Sequence, residues 1–287
     1  MNGWLGPALR LHGWLAAGVV ALACLAAPAP PSLPVQAVLL LAGVVLVGMP
    51  HGAFDHQVAG RVLRPRLGRA WWAPFLAGYL ALAGLVWLGW LLAPATTLGL
   101  FLAVSVLHFG LGDAGTPAGV VARGGLPILL PVALHPAAAA PVLAALAGVA
   151  PAAMAVALAD ARWLLLPWGA AFLLWARTAS WRERAETAAV GAAFVLLPPL
   201  LAFALYFCLC HSVRHLLRLG AMLAPGSIRA AWREVLRVGL PAALLCAGGA
   251  AALAAHGTEA ALPPLFRLLA ALTLPHMAVT VWLEERS

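Results

Sequence analysis

Lysine is absent from this 287-residue chain, and charged residues of every kind make up only 9% of it. A soluble domain carries nearer a quarter, so this scarcity excludes a water-facing surface over most of the chain. The four cysteines, Cys24, Cys208, Cys210 and Cys246, lie in apolar stretches without a CxxC pair. That argues against a disulfide framework or a thiolate metal site and for buried filler. Neither an internal repeat nor a soluble domain can be read from the sequence. What fills the chain is hydrocarbon: 64% of its residues are hydrophobic and the mean hydropathy is +0.98. The composition predicts an all-α, polytopic transmembrane bundle, a single integral-membrane domain over 1–287, in the cell membrane. The net charge of +8 comes wholly from arginines clustered between apolar runs. Such clusters orient loops at a membrane and do not form a nucleic-acid groove.

Apolar runs of bilayer-crossing length, roughly 20 residues, fall near 12–28, 34–50, 71–93, 97–112, 119–135, 138–158, 161–177, 187–217, 235–256 and 261–283. The count is eight to ten, because 119–135 is short and Pro-interrupted and reads equally as re-entrant. The run 12–28, with Arg10 before it and CLAAPAP after it, also resembles a secretory signal. Arg61, Arg64, Arg66 and Arg69, and again Arg214, Arg218, Arg229, Arg233 and Arg237, argue for cytoplasmic loops. Ten spans then place Arg177, Arg182 and Arg184 outside, against the same rule.

Three apolar stretches stop at histidine-bearing clusters: GMPHGAFDH (Gly48 to His56), LHFGLGD (Leu107 to Asp113) and CHSVRH (Cys210 to His215). In hydrocarbon such groups are costly unless paired or ligating, so their default reading is a functional site. HSVRH sets His211 and His215 at i and i+4 on one helix face, the spacing by which a helix offers two nitrogens to one metal. His51 stands between Pro50 and Gly52, and irregular backbone at membrane depth is tolerated where it lines a cavity. Asp55 is suited to accept the second N–H of a ligating imidazole. His108, followed by Phe109 and Asp113, repeats the formula. Four imidazoles, His51, His108, His211 and His215, would hold one transition metal. An all-imidazole set suits Fe, Cu, Zn or Ni, and iron with open positions for O2 best fits a site reached from lipid.

Around these four, Asp55, Asp113, His56 and His276 are candidates for orienting the ligands or contacting a substrate. Phe54, Phe109, Tyr206, Phe207 and Met277 are candidate walls of an apolar tunnel, with ordinary packing as the alternative for each. His12, His135 and His256 sit at span ends and read as interfacial.

The blocks PHGAFDH, LHFGLGD, YFCLCHSVRH and LPHM, in this order over about residues 48 to 280, resemble the signature blocks of the Brp/Blh family of bacterial and archaeal membrane proteins, the β-carotene 15,15′-dioxygenases. The resemblance implies Fe(2+) held by the histidines of the PHGA, HFG and HSxRH blocks, here His51, His108, His211 and His215. It also implies cleavage of β-carotene by O2 at its central double bond to two molecules of retinal. Membrane lipid would deliver the substrate, and an opsin is a candidate receiver of the product. Two other functions fit the same residues: a carotenoid or retinal carrier, or opsin-assembly helper, without catalysis; and a membrane di-iron desaturase or hydroxylase, though such enzymes repeat their HxxxH boxes and this chain has one. Bis-histidine haem is a third. Because the clusters fall at span ends, the metal is expected toward one membrane face, with the polyene tilted or parallel to the membrane plane.

Overall fold

The computed structural model describes residues 3–112, 115–224, 226–254 and 262–284. Among them there is no strand, and seven helical stretches are long and apolar enough to cross a membrane. The first helix is α1 (Leu5–Leu25). The stretch 33–92 then carries α2 (Leu33–Gly43), a π-helical segment (Val44–Gly48), α3 (Met49–Gly52), α4 (Asp55–Leu67), a 3-10 turn (Gly68–Trp71) and α5 (Trp72–Leu92). Its 60 residues would extend about 90 Å if straight, three times the hydrocarbon thickness, so it must fold back. It does so at the turn residues Ala53 and Phe54 and at Gly68, whose φ of 57° favours glycine.

Next come α6 (Pro94–Leu111), α7 (Pro117–Leu134), α8 (Pro136–Ala147), α9 (Pro151–Asp160), a 3-10 turn (Ala161–Leu164), α10 (Leu165–Thr178) and α11 (Trp181–Leu196). Proline opens α6, α7, α8 and α9, where its missing N–H costs nothing. Helix α11 starts on a capping box: the Ser180 hydroxyl accepts from the Glu183 N–H, and the Glu183 carboxylate accepts from the Ser180 N–H at 2.8 Å. The bonds from Ser180 hold the Glu183 carboxyl below the usual carboxylate range. The last elements are α12 (Pro199–Ala204), a second π-helical segment (Leu205–Ser212), α13 (Val213–Leu223), α14 (Ile228–Ala254) and α15 (Leu262–Glu284).

Two expected spans are redrawn. The stretch 138–158 is not one crossing but α8 and α9, helices of 12 and 10 residues that turn at Gly148 (φ 66°) and pack on each other. At about 18 Å, α8 does not reach across roughly 30 Å of hydrocarbon, whereas α9 runs on through the 3-10 turn into α10 as one 28-residue stretch. The stretch 187–217 is broken at Leu197 and Pro198 into α11 and the α12–α13 stretch. The run 119–135, for which re-entrance was an alternative, is the continuous 18-residue helix α7.

The contacts of the basic segments show how they lie relative to one another. Arg61 donates to the Met222 carbonyl at 2.8 Å, Glu234 accepts from Gln57 at 2.6 Å, and Arg214 pairs with Glu186 of α11 at 3.0 Å. The basic segments around residues 61–69, 177–184, 214–218 and 229–237 therefore gather at one end of the bundle.

Helices α6 and α7 approach at two glycines. A Cβ at Gly124 would lie 1.8 Å from the Val106 carbonyl oxygen, and one at Gly110 would lie 2.2 Å from that of Val120. Small residues let membrane helices pack backbone to backbone, and here the contact fixes α6, the helix that carries His108. Gly124→Ala should force α6 outward, lower the thermal midpoint in detergent by an amount equivalent to about 1–3 kcal/mol, and displace His108.

Candidate metal centre

Both π-helical segments lie at the centre of the site. In such a segment the helix is wound one residue wider per turn, which re-aims the side chains that follow and disturbs the regular pairing of carbonyls; π-turns recur at functional sites. The first segment leads directly into His51, whose Nδ1 donates to the Gly48 carbonyl. The second contains His211, and its Leu209 carbonyl accepts from His12 Nε2 of α1 at 2.8 Å. His12 is thus buried with a partner rather than interfacial. The two segments pack against each other through glycine: a Cβ at Gly48 would lie 2.7 Å from the Phe207 ring, and one at Gly43 2.7 Å from Cys208 Sγ.

Five imidazoles converge here. Nε2 of His211 stands 3.1 Å from Nε2 of His108. His51 packs its ring 5.7, 5.4 and 5.0 Å, centroid to centroid, from those of His211, His215 and His276. His276 also lies 5.4 Å from His108 and 5.2 Å from His215. One ligand nitrogen from each of His51, His108 and His276 falls within 4.8 Å of the others. The Nε2 atoms of His215 and His276 are buried and have no hydrogen-bond partner.

These atoms fit a metal ion. Two nitrogens bound at about 2.0–2.1 Å on one ion, at right angles, stand about 3.0 Å apart, close to the His108–His211 separation. Neutral imidazoles are also the donors that intermediate transition metals prefer. Two of the rings have the outer partner that ligating histidines ordinarily have, since the second N–H of His51 goes to the Gly48 carbonyl and that of His276 to Asp55 Oδ1 at 2.7 Å. The other Asp55 oxygen accepts from the Tyr79 hydroxyl at 3.0 Å.

A cavity of about 620 Å³ opens from the cluster and is lined by His51, His108 and His276. It follows α6 from His108 to Leu98 and α15 from His276 to Phe266, ten residues or about 15 Å along each helix. Its long dimension thus runs with the helices, not across them. The remaining wall is apolar, from α2, α7, α8, α12 and α14. Leu245 both lines the cavity and is 79% exposed, which marks a lateral mouth beside α14.

The rings of His51, His108, His211 and His215 lie in one cluster, while the trio whose nitrogens fall within 4.8 Å of one another is His51, His108 and His276. Asp55 is buried within hydrogen-bond reach of His276. Phe109 and Phe207 line the cavity. Tyr206 packs its ring 5.3 Å from that of Phe109 and faces a smaller pocket behind it. Phe54 is fully buried among Val58, Leu216, Leu219 and Val279, outside the cavity wall. Met277 is not a lining residue, and His56 lies on the exposed basic side, bonded to the Ala53 carbonyl. Asp113 and His256 lie outside the described residues. Tyr79 was missed by sequence reasoning: it lies within an apolar run, 24 positions from the carboxylate it meets. The four cysteines form no disulfide.

A family model described as "Beta-carotene 15,15'-dioxygenase" matches residues 42–284. The chain is 32% identical to "Probable beta-carotene 15,15'-dioxygenase Blh" of Halobacterium salinarum over an alignment 332 positions long, gaps included, covering 97% of this chain and 92% of the relative. It is 29% identical to "Beta-carotene 15,15'-dioxygenase" of the uncultured marine bacterium 66A03 over 256 residues, covering 83% of this chain and 90% of that one. No solved structure matches.

If the converging nitrogens hold one ion, elemental analysis of the purified protein should give one transition metal per chain. His108→Ala and His211→Ala should each reduce that content by at least tenfold, and prolonged chelation should lower the melting temperature of the parent protein but not of the variants.

Proposed function

Because the chain belongs to the β-carotene 15,15′-dioxygenase family, we propose that its histidine cluster is the iron centre of an enzyme that cleaves β-carotene with O2 to two molecules of retinal. The observation that carries this reading is the combination of a convergent all-imidazole donor set with a hydrocarbon chamber opening from it. His51, His108, His211 and His215 would hold the ferrous ion. Its contribution when bound is to bind and activate O2 for addition across the polyene double bond.

The protein's own side chains do the rest. The Nδ1 donors of His51 and His276 are committed to Gly48 and Asp55, which leaves Nε2 as the donor atom of each ring. Phe109 and Phe207 form apolar walls beside the histidines, with Phe203 stacked on Phe207 at 5.6 Å. The polar side chains of the chamber are occupied locally: the Ser105 hydroxyl donates to Phe101, Thr273 to Leu269 and the Gln36 amide to Pro31. Among the described residues the chamber therefore offers a hydrocarbon substrate little competing donor capacity and gives water little hold. The wall runs about 15 Å along α6 and α15 and, from Leu33 to Ala53, about the whole hydrocarbon thickness along the α2–α3 stretch, and an extended carotene is about as long as that thickness. The central bond of the polyene is then placed at the histidines, and the chain leads away from them along the apolar wall. No proton transfer is needed, in keeping with a site in which Asp55, the carboxylate beside the histidines among the described residues, is already bonded on both oxygens.

The gathered arginines orient their end of the bundle toward the cytoplasm of the cell membrane. Carotene would enter from lipid through the mouth at Leu245, with an opsin as a candidate receiver of the retinal.

Protein in lipid nanodiscs, supplied with β-carotene and ferrous iron under air, should release close to two retinals per carotene. His211→Ala should abolish this; tight carotene binding without O2 uptake in the parent protein would instead establish a carrier. Leu102→Trp, which fills the chamber away from the histidines, should cut turnover at least tenfold while leaving the metal content unchanged.

A further inference from the structure

We infer that His276 is itself a metal ligand and that Asp55 and Tyr79 are the residues that position it; this rests on the reading of the cluster as a metal centre. The family resemblance supplies four ligands from three blocks, and His276 is not among them. Its geometry is that of a ligand. Nδ1 donates to Asp55 Oδ1 at 2.7 Å, which fixes the tautomer and turns the lone pair of Nε2 away from the carboxylate. That Nε2 is buried and has no hydrogen-bond partner. It belongs to the trio, with His51 and His108, whose ligand atoms lie within 4.8 Å of one another and whose side chains line the substrate chamber.

The His276 ring stands nearly perpendicular to that of His51, at 88°, and at 75° to that of His215. Packing as an ordinary core histidine would leave several imidazole lone pairs facing one another in hydrocarbon, an arrangement that only a shared cation or proton relieves. A hydrogen bond to a carboxylate makes an imidazole a stronger donor to a metal and holds its ring plane.

Asp55 is held in turn from two sides. It is the first residue of α4, where a carboxylate is favoured by the helix dipole. Its Oδ2 accepts from Tyr79 of α5 at 3.0 Å. The chain Tyr79–Asp55–His276 thus links α5, α4 and α15 across residues 24 and 221 positions apart. With both oxygens occupied, the carboxylate cannot swing away from the imidazole without losing the tyrosine.

The test is a cobalt titration of the metal-free, full-length protein in nanodiscs, read by visible ligand-field absorption, beside His276→Ala, Asp55→Asn and Tyr79→Phe. His276→Ala should weaken Co2+ binding at least 100-fold and change the intensity and position of the bands. Asp55→Asn and Tyr79→Phe should weaken it about 10–100-fold with a smaller shift of the same bands. Parent protein that binds cobalt alongside a His276→Ala variant of unchanged affinity and spectrum overturns this inference alone. Parent protein that binds no cobalt overturns it together with the metal reading beneath it. Should His276→Ala fail to fold, Tyr79→Phe decides, since it removes one oxygen atom; unchanged cobalt affinity and spectrum there also overturn the inference.

Discussion

Imidazole nitrogen in hydrocarbon must have a partner, and this requirement organises the interior of the molecule. Water is not there to solvate a stray lone pair, so each buried ring needs a donor, an acceptor or an ion. The chain meets part of the requirement internally. His51 donates to Gly48, His276 to Asp55 and His12 to Leu209. What remains is a cluster in which His51, His108 and His276 bring nitrogens within 4.8 Å of one another, and in which the Nε2 atoms of His215 and His276 are buried without any protein partner. Substituting one ring by an apolar residue would not simply delete a contact; it would leave the other lone pairs of the cluster opposed with less to bind.

The backbone is arranged to bring these rings to that point. A regular α-helix advances side chains by a fixed angle, so histidines on two crossing helices meet only if the register allows it. The π-helical segments adjust the register of the α2–α3 and α12–α13 stretches, and glycines at positions 43 and 48 let one segment press onto Cys208 and Phe207 of the other. The carbonyls within those segments are then available to histidine N–H groups, that of Gly48 to His51 in the cluster and that of Leu209 to His12 beside it. Gly110 and Gly124 do for α6 what Gly43 and Gly48 do for the π-helical pair. The placement of the histidines is thereby coupled to helix packing in the bundle.

Much of this was legible in the sequence, and the limits of legibility are physical. Histidines between long apolar runs carry their own signal because hydrocarbon penalises them, which is why His51, His108, His211 and His215 could be named from spacing. The extent of the helices could not be read in the same way. Pro50 and Gly52 look like a terminus, and the helix, after passing through a π-turn, does break at Ala53 and Phe54; His108 likewise lies in the last turn of α6, whereas His211 and His215 stand inside a stretch that runs on to Leu223. Gly148 and Leu197–Pro198 were the true interruptions, hidden in runs whose hydropathy does not change. Phe54 and Met277 are near the ligands in sequence, but adjacency along a helix rotates a side chain by about 100° per residue and puts neighbours on different faces. The chamber wall comes from α8 and α14, distant in sequence and without any polar marker, and a lone tyrosine in an apolar run has no local pattern that reveals its carboxylate.

The scarcity of polar groups around the chamber also bears on how selectivity can arise. A site that reads hydroxyls or amides rejects analogues by leaving buried donors unpaired, a strong effect; an apolar pocket discriminates by shape and length and gains only about 1–3 kcal/mol per methylene. Ser105, Thr273 and Gln36 have their donors occupied by nearby backbone carbonyls, so the first kind of discrimination is largely closed to this chain. What remains is the distance from the histidines to the far wall and the bulk of the side chains between, Phe101, Leu102 and Phe266 among them. Position along a uniform polyene has no chemical label to recognise, since neighbouring double bonds differ little. Depth is then the one property by which a rigid apolar chamber can place a chosen bond at a fixed reactive point, and rigidity is what the glycine contacts and the Tyr79–Asp55–His276 chain contribute at the end where that point lies.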